Sequence, residues 1–400
     1  MKYERLKIGL RWRVRNAVRK IGDLFEFLKY YALYPFALPY RRRGIWLVSE
    51  RGTDARDNGF HMFRYIREHD PSRPVYYVIT DDSPDRENLA PFGNLIRFGS
   101  LKHYLYFIAA QVRIGTHFMG YAPNRRFYTY NRDRICLPGK TVFLQHGVIQ
   151  CDLRQLHADK TGLDLFICGA APEYEYVRSA FGYREGVVRY TGLARYDRLY
   201  DFGIKKQILI MPTWRRTLNE RRLAENTIAG SDFAKRWNAL LHDETLLAAA
   251  ERAGVTIVFY PHYELQRDLD QFASPSPNVV IADFAHYDVQ TLLRESALLV
   301  TDYSSVHFDF GYMKKPCVYY QFDADAFFTQ HYARGYFDPE TMGFGEVTDD
   351  AETLTALIVG YIESGFAPKA LYLQRCAAFF PLHDKNNCRR IYEEILRLIS

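Results

Sequence analysis

The sequence predicts an α/β chain of two tandem doubly wound, Rossmann-like domains preceded by an amphipathic helical segment. Three observations carry the prediction. Short apolar runs alternate with amphipathic stretches from Gly44 onward, the alternation restarts after a polar junction near Arg198 to Lys206, and residues 1–43 differ in composition from the rest. Such alternation places helices on both faces of a parallel sheet, because parallel strands need a crossover that a helix supplies. The predicted divisions are 1–43, 44–200 and 201–400, with the last helix a candidate to cross back to the first domain.

In the first segment Leu10, Val14, Ala17, Ile21, Leu24, Leu28 and Tyr31 recur at spacings of three and four, which sets them on one helical face. Arg11, Arg13, Arg15, Arg19 and Lys20 crowd the other side, and an aromatic stretch from Tyr30 to Phe36 is closed by Arg41, Arg42 and Arg43. Twelve Lys or Arg stand against three acids here, a balance of +9 in a chain whose net charge is +6, so the remainder carries −3. A basic amphipathic helix with an aromatic flank suits the headgroup region of an anionic leaflet. The competing expectation is packing on the protein's own body or on a second subunit of a homo-oligomer. No nucleic-acid recognition motif accompanies the charge. The near-apolar run Tyr30 to Leu38 is too short to span a bilayer and contains Pro35. The six cysteines form no Cys-x-x-Cys pair, and scattered through apolar stretches they read as reduced thiols of a cytosolic protein.

In the first domain the predicted strands are Ile45 to Val48, Val75 to Ile79, Leu95 to Phe98, Val112 to Gly115, Val142 to Leu144, Leu165 to Cys168 and Val187 to Tyr190, with helices at Asn58 to Glu68 and Leu101 to Ala110. In the second they are Ile208 to Met211, Thr256 to Tyr260, Val279 to Ile281, Leu298 to Thr301 and Val318 to Tyr320. Its helices are expected at Phe233 to Leu241, Glu244 to Ala253, Val306 to Tyr312, Ala351 to Ile362 and Asn387 to Leu398.

Ligands of open α/β sheets bind beyond the carboxyl ends of strands, and four polar clusters fall there. Gln145-His146-Gly147 offers a histidine able to accept a proton near neutral pH. Thr213-Trp214-Arg215 offers a guanidinium suited to phosphate oxygens, and Pro261-His262 a second histidine. Asp302-Tyr303-Ser304-Ser305 leads into a helix, where hydroxyls and free amides favour a phosphate; plain N-capping by Ser304 or Ser305 is the simpler alternative. No Gly-rich Lys loop or Gly-x-Gly-x-x-Gly supports ATP or nicotinamide chemistry. The acidic pairs Asp268 with Asp270 and Asp323 with Asp325 are too generic to indicate a metal.

In order, these clusters together with Gly192 to Asp197, Phe308-Asp309, Lys315-Pro316 and Arg334-Gly335 resemble the CDP-glycerol glycerophosphotransferases, builders of teichoic acids and capsule polymers. Asp57-Asn58 before a helix resembles that family's acceptor-side domain, to which Gln145 and Gly147 would also belong. The resemblance covers about Glu50 to Ile399. It implies a two-domain GT-B-type fold, a CDP-glycerol or CDP-ribitol donor, a lipid-linked or polymeric acceptor, no cofactor and no tightly bound metal. It further implies a peripheral protein on the cytoplasmic face of the membrane. His146 would be the base on the acceptor hydroxyl, while His262, Arg215, Ser304 and Ser305, with Thr213 beside them, would hold the donor diphosphate. Asp302 and Asp309 would support that donor site. The chain departs from the family at Leu144-Gln145, where a tryptophan or similar residue is usual before His-Gly, and at Ala194, where proline is favoured; both leave the acceptor open. Two other readings compete: a GT-B nucleotide-sugar glycosyltransferase, and a non-catalytic membrane-associated scaffold of the same fold.

Overall fold

The computed structural model describes residues 2–135, 137–200 and 202–400, with side chains from residue 16 onward. The predicted face positions Leu10 and Val14, the cations Arg11, Arg13 and Arg15, and Cys136 therefore lie outside the described side chains.

Two parallel sheets organise the chain. The first orders its strands Leu95–Arg97, Val75–Ile79, Trp46–Ser49, Val112–Gly115, Lys140–Phe143, Leu165–Cys168 and Val188–Tyr190. The second orders Val279–Ile281, Thr256–Phe259, Gln207–Ile210, Leu298–Thr301, Cys317–Tyr320 and Gly345–Thr348. Their inner strands are buried on both faces, which is why they read as continuous apolar runs. Each sheet has one point where strand order reverses, between Trp46–Ser49 and Val112–Gly115 in the first and between Gln207–Ile210 and Leu298–Thr301 in the second. A crevice opens at such points, so the residues just after these four strands sit where a ligand would.

The edge strand Gly345–Thr348 escapes sequence reading because its short Gly-Glu-Val-Thr run has only one large apolar residue. Its Gly345 is obligatory in another way, since a Cβ there would lie 1.6 Å from the Cys317 carbonyl oxygen. A small third sheet pairs Cys151–Asp152 with Ala333–Arg334 antiparallel and ties the two halves together at the cleft rim.

Helix α1 (Lys2–Arg41) runs as one element through Pro35 and Pro39, so the aromatic stretch is part of it rather than a flank. Each proline removes one intrahelical bond, from the carbonyls of Tyr31 and Pro35; both residues are exposed, and water can take the lost donor's place. Tyr30 and Ala37 are buried, with Phe27, Leu33, Tyr34 and Tyr40 beside them, against Phe107, Ile108, Phe127 and Tyr128. The face predicted to be apolar points elsewhere: Ile21, Leu24, Leu28 and Tyr31 are all more than half exposed.

The C-terminal helix (Asn387–Ile399) packs on the first half. Cys388, Ile391 and Ile395 join the core made by Trp46, Val48 and helix α2 (Asn58–His69). Asp197 accepts from the backbone amides of Asn387 and Cys388 at 2.8 and 2.9 Å, which caps this helix from the far side of the junction. The first half thus contains residues from both chain ends. Ile391→Ala should lower global stability by about 2–5 kcal/mol, the usual cost of a buried isoleucine truncation. Denaturant melts followed in both halves should shift together; a loss confined to the second half would contradict this packing.

Candidate functional site

The cleft between the two reversal points encloses a cavity of about 140 Å³. His146, Gln145 and Gly147 line it from the first half, and Thr213, Trp214, His262, Ser304 and Ser305 from the second. Residues as far apart in sequence as Gln145 and Ser305, 160 positions, thus meet in one space. Arg215, Asp302, Asp309, Asp57 and Asn58 lie behind it.

His146 follows Gln145, which adopts a left-handed backbone (φ 62°), rare for a side chain of its size. Surrounding bonds hold that conformation. The Gln145 carbonyl accepts from Asn58 Nδ2 at 2.8 Å, and its amide nitrogen donates to the Ile167 carbonyl and, at 3.0 Å, to Glu173 Oε1. Glu173 also accepts from the amides of Ile149 and Gly169, both at 2.6 Å. Burial pushes its carboxyl up to about 7 although these donors favour the charged form. Sequence reading placed no role on Glu173, whose partners are all 4 to 28 residues away.

The His146 ring is open to the cleft and stacks on His117 with centroids 4.8 Å apart and planes 13° apart. Dehydration deep in the cleft, then the charges of Arg51 and Arg195, lower its pKa to about 4. The ring is therefore neutral near pH 7. The Thr116 carbonyl favours a proton on the nitrogen facing it and so leaves the other nitrogen as an acceptor. His262 has the opposite arrangement. Its Nδ1 accepts from the Glu264 amide at 3.2 Å, so in the neutral ring Nε2 carries the proton and is a donor. Burial, then Arg51, lowers its pKa to about 4.

Arg215 was expected on the diphosphate. Instead its guanidinium is buried between two carboxylates, reaching Asp323 at 2.8 and 3.0 Å and Asp302 at 2.9 Å, with the Thr213 carbonyl at 2.7 Å. Burial opposes its charge, and Asp302 and Asp323 more than offset that, holding the pKa above the usual arginine value. Asp302 in turn accepts from the amides of Thr213 and Tyr303. This triad fixes the two strand-end loops that present Thr213 and Ser304. The helix Val306–Tyr312 has only seven residues, and Ser305 makes no capping bond to it, so simple N-capping by Ser305 is excluded and its hydroxyl faces the cavity.

The residue that joins the halves is Arg195, within a sequence motif yet given no role of its own. It holds Asp309 of the second half through two bonds at 2.7 and 2.8 Å, and Asp57 and the His146 carbonyl at 2.9 and 2.8 Å. Its amide donates to Asn58 Oδ1 at 2.9 Å. Asp57 and Asn58 therefore act through Arg195 and Gln145 rather than by lining the cavity. Above the clamp Gly147 faces Ser305, where a Cβ would lie 2.8 Å from Ser305 Oγ. Among the described residues no cluster of three or more His, Cys, Asp or Glu side chains is placed to hold a metal ion.

Fold and site define a class of two-sheet α/β proteins that take their ligand between opposed strand ends. Residues 31–397 match the family CDP-glycerol:poly(glycerophosphate) glycerophosphotransferase, and the chain belongs to it. It is 31% identical over 370 residues to the minor teichoic acid biosynthesis protein GgaB of Bacillus subtilis strain 168, covering 90% of this chain and 40% of that protein. It is 24% identical over 395 residues to a teichoic acid poly(glycerol phosphate) polymerase of the same organism, covering 87% of this chain and 49% of that one. The chain thus spans less than half the length of either relative. Its fold is similar to that of the wall teichoic acid polymerase TagF (TM-score 0.66, 17% identity, 95% of this chain and 98% of that one). It is also similar to that of UDP-GlcNAc 2-epimerase from Methanocaldococcus jannaschii (TM-score 0.53, 11% identity, 88% and 99%).

The Gly147 contact can be measured as a coupling. Gly147→Ala should cost about 1–3 kcal/mol by overpacking, and Ser305→Ala in the same chain should recover most of it. Additive losses in a denaturant double-mutant cycle would show that the halves do not meet there.

Proposed function

We propose that the chain transfers glycerol phosphate from CDP-glycerol to a hydroxyl of a polymeric acceptor in teichoic-acid-type synthesis, its two sheets acting as tandem domains of GT-B type. The observation that carries the reading, together with family membership, is the single cavity lined by a histidine from each half. The acceptor oxygen attacks the phosphorus bearing the glycerol, and its proton passes to the free nitrogen of His146. The bond from that phosphorus to the CMP oxygen breaks, and CMP leaves with the electron pair. His262 Nε2–H and the hydroxyls of Thr213, Ser304 and Ser305 donate to the phosphate oxygens, where negative charge grows. Arg215 contributes by holding the loops that carry these donors.

A base kept neutral by a lowered pKa is ready at neutral pH. His146→Ala should reduce CMP release with acceptor by about a hundred- to ten-thousandfold while CDP-glycerol still binds by calorimetry. In the intact chain kcat/KM should be level near neutrality and fall as pH drops toward 4, where His146 gains a proton. Release of UDP or GDP from nucleotide sugars, with no CMP from CDP-glycerol or CDP-ribitol, would replace this reading with glycosyl transfer.

The chain is further proposed to rest on the anionic cytoplasmic leaflet through α1. Val18, Ile21, Leu24, Phe25, Leu28 and Tyr31 form an exposed apolar strip on a helix with Lys20 and Lys29 at its borders. No helix among the described residues is long and apolar enough to cross a membrane. Because Tyr30 and Ala37 belong to the core, substitution is a cleaner test than deletion of the helix. Leu24→Ser with Leu28→Ser should cut co-sedimentation with anionic vesicles severalfold and leave the thermal midpoint in place. Equal sedimentation of parent and variant would remove the membrane role.

A further inference from the structure

Two cations of the first half, Arg51 and Arg125, take no part in the chemistry above. Arg51 follows the strand Trp46–Ser49 by two residues, and His117 follows Val112–Gly115 by two, so both stand at the carboxyl ends of the strands where the order turns. Arg51 Nε donates to His117 Nε2 at 3.2 Å, and the His117 ring stacks on His146. With Nε2 accepting from Arg51, His117 is neutral and its Nδ1–H meets Thr116 Oγ1 at 3.0 Å. The imidazole pair therefore fixes where the Arg51 guanidinium sits relative to the proposed base. Across the cleft, Arg51 lies 5.7 Å from the centre of the Tyr263 ring, next to His262.

Arg125 is the second cation. It opens the short helix Arg125–Asn131, its guanidinium forms no hydrogen bond or ion pair among the described residues, and its charge reaches Arg51, His117 and His146. Its neighbour Arg126 is tied to Asp23 of α1. One carboxylate stands nearby, Asp54, 3.6 Å from Arg51 Nε and partly exposed. Among the described residues the Arg51 guanidinium thus has one weakly held carboxylate and the Arg125 guanidinium has none. Like charges gathered without compensation are destabilising unless an anion joins them, and guanidinium forks suit phosphate oxygens best. Burial, His146, Arg51 and Arg125 all depress His117, so the ring does not add to the local charge and serves as an acceptor for Arg51.

We propose that Arg51, held against the stacked His117–His146 pair, forms with the exposed Arg125 a subsite for a phosphodiester of the incoming acceptor chain. The anion would sit on the far side of His146 from the donor hydroxyls, so a chain anchored there by its last phosphodiester would turn its terminal hydroxyl toward the base. The proposal rests on the transfer reading for its direction, but the anion subsite itself does not.

The probe is glycerophosphoglycerol, a phosphodiester that is neither donor nor nucleotide, followed by histidine-selective NMR of the full chain. Millimolar probe should shift the His117 and His146 signals, and Arg51→Gln with Arg125→Gln should weaken that binding at least tenfold. Glycerol at the same concentration should leave the signals unmoved. In kinetics the same double variant should raise KM for a phosphodiester-bearing acceptor at least tenfold and hold the KM for CDP-glycerol. No shift with the probe in the parent chain, or equal binding by parent and variant, would overturn the subsite; so would a rise in donor KM alone, which would assign both arginines to the donor. If the parent releases no CMP from CDP-glycerol yet binds the probe through these arginines, the transfer reading fails and the subsite stands.

Discussion

Everything at the cleft depends on Arg195. Its guanidinium joins a carboxylate of each half and the carbonyl of His146, so one side chain links the position of the proposed base to the spacing of the halves. Burial opposes its charge, and the Asp309 and Asp57 carboxylates outweigh that opposition. Such an arrangement adds little net stability over an apolar pair, but losing one partner typically costs about 3–5 kcal/mol because the other charge is stranded. The gain is positional: two parallel bonds to Asp309 fix orientation as well as distance.

A second constraint sits one residue before the base. Gln145 is held left-handed by Asn58, Ile167 and Glu173, so the turn that aims His146 into the cleft is enforced from three elements. Strained backbone of this kind persists only where surrounding bonds over-determine it. Asn58 links both constraints, accepting from the Arg195 amide and donating to the Gln145 carbonyl. Moving the turn that bears His146 would disturb the clamp as well.

The strands were legible because strands of parallel sheets are mostly apolar, and five strands, such as Val75–Ile79 and Leu298–Thr301, have the predicted limits. Helices such as Arg216–Glu225 were not, since only Leu218 in that helix is buried and its pattern is nearly all polar. The aromatic stretch from Tyr30 to Phe36 read as a flank, yet α1 continues through it and through Pro35, packed against Phe107 and Tyr128. At the site, residues on strand-end motifs were recognisable, and His146, His262, Thr213, Ser304 and Ser305 do share one cavity. What local pattern could not show was which charges already have partners. Arg215 meets Asp323 across 108 residues and Arg195 meets Asp309 across 114, distances at which spacing carries no signal. Arg51 and His117 stand alone in the sequence and acquire meaning only from the strand order that brings them side by side.

The return of the last helix has a mechanical consequence. The chain passes between halves once near Tyr200 and again near His383, and both passages are bound to one residue: Tyr312 Oη meets Tyr200 Oη at 2.9 Å and the Asp384 carbonyl at 3.1 Å, while the His383 ring meets the Tyr312 carbonyl at 2.7 Å. Two connections running side by side make a spine, and a spine permits rotation about its own length far more readily than sliding or twisting. The leaves of this book meet at Gly147 and Ser305 and are latched by Arg195 and Asp309. Admission and release of anything larger than the closed cavity therefore reduce to one angular coordinate, held shut by the Arg195–Asp309 ion pair and by the small sheet at the cleft rim.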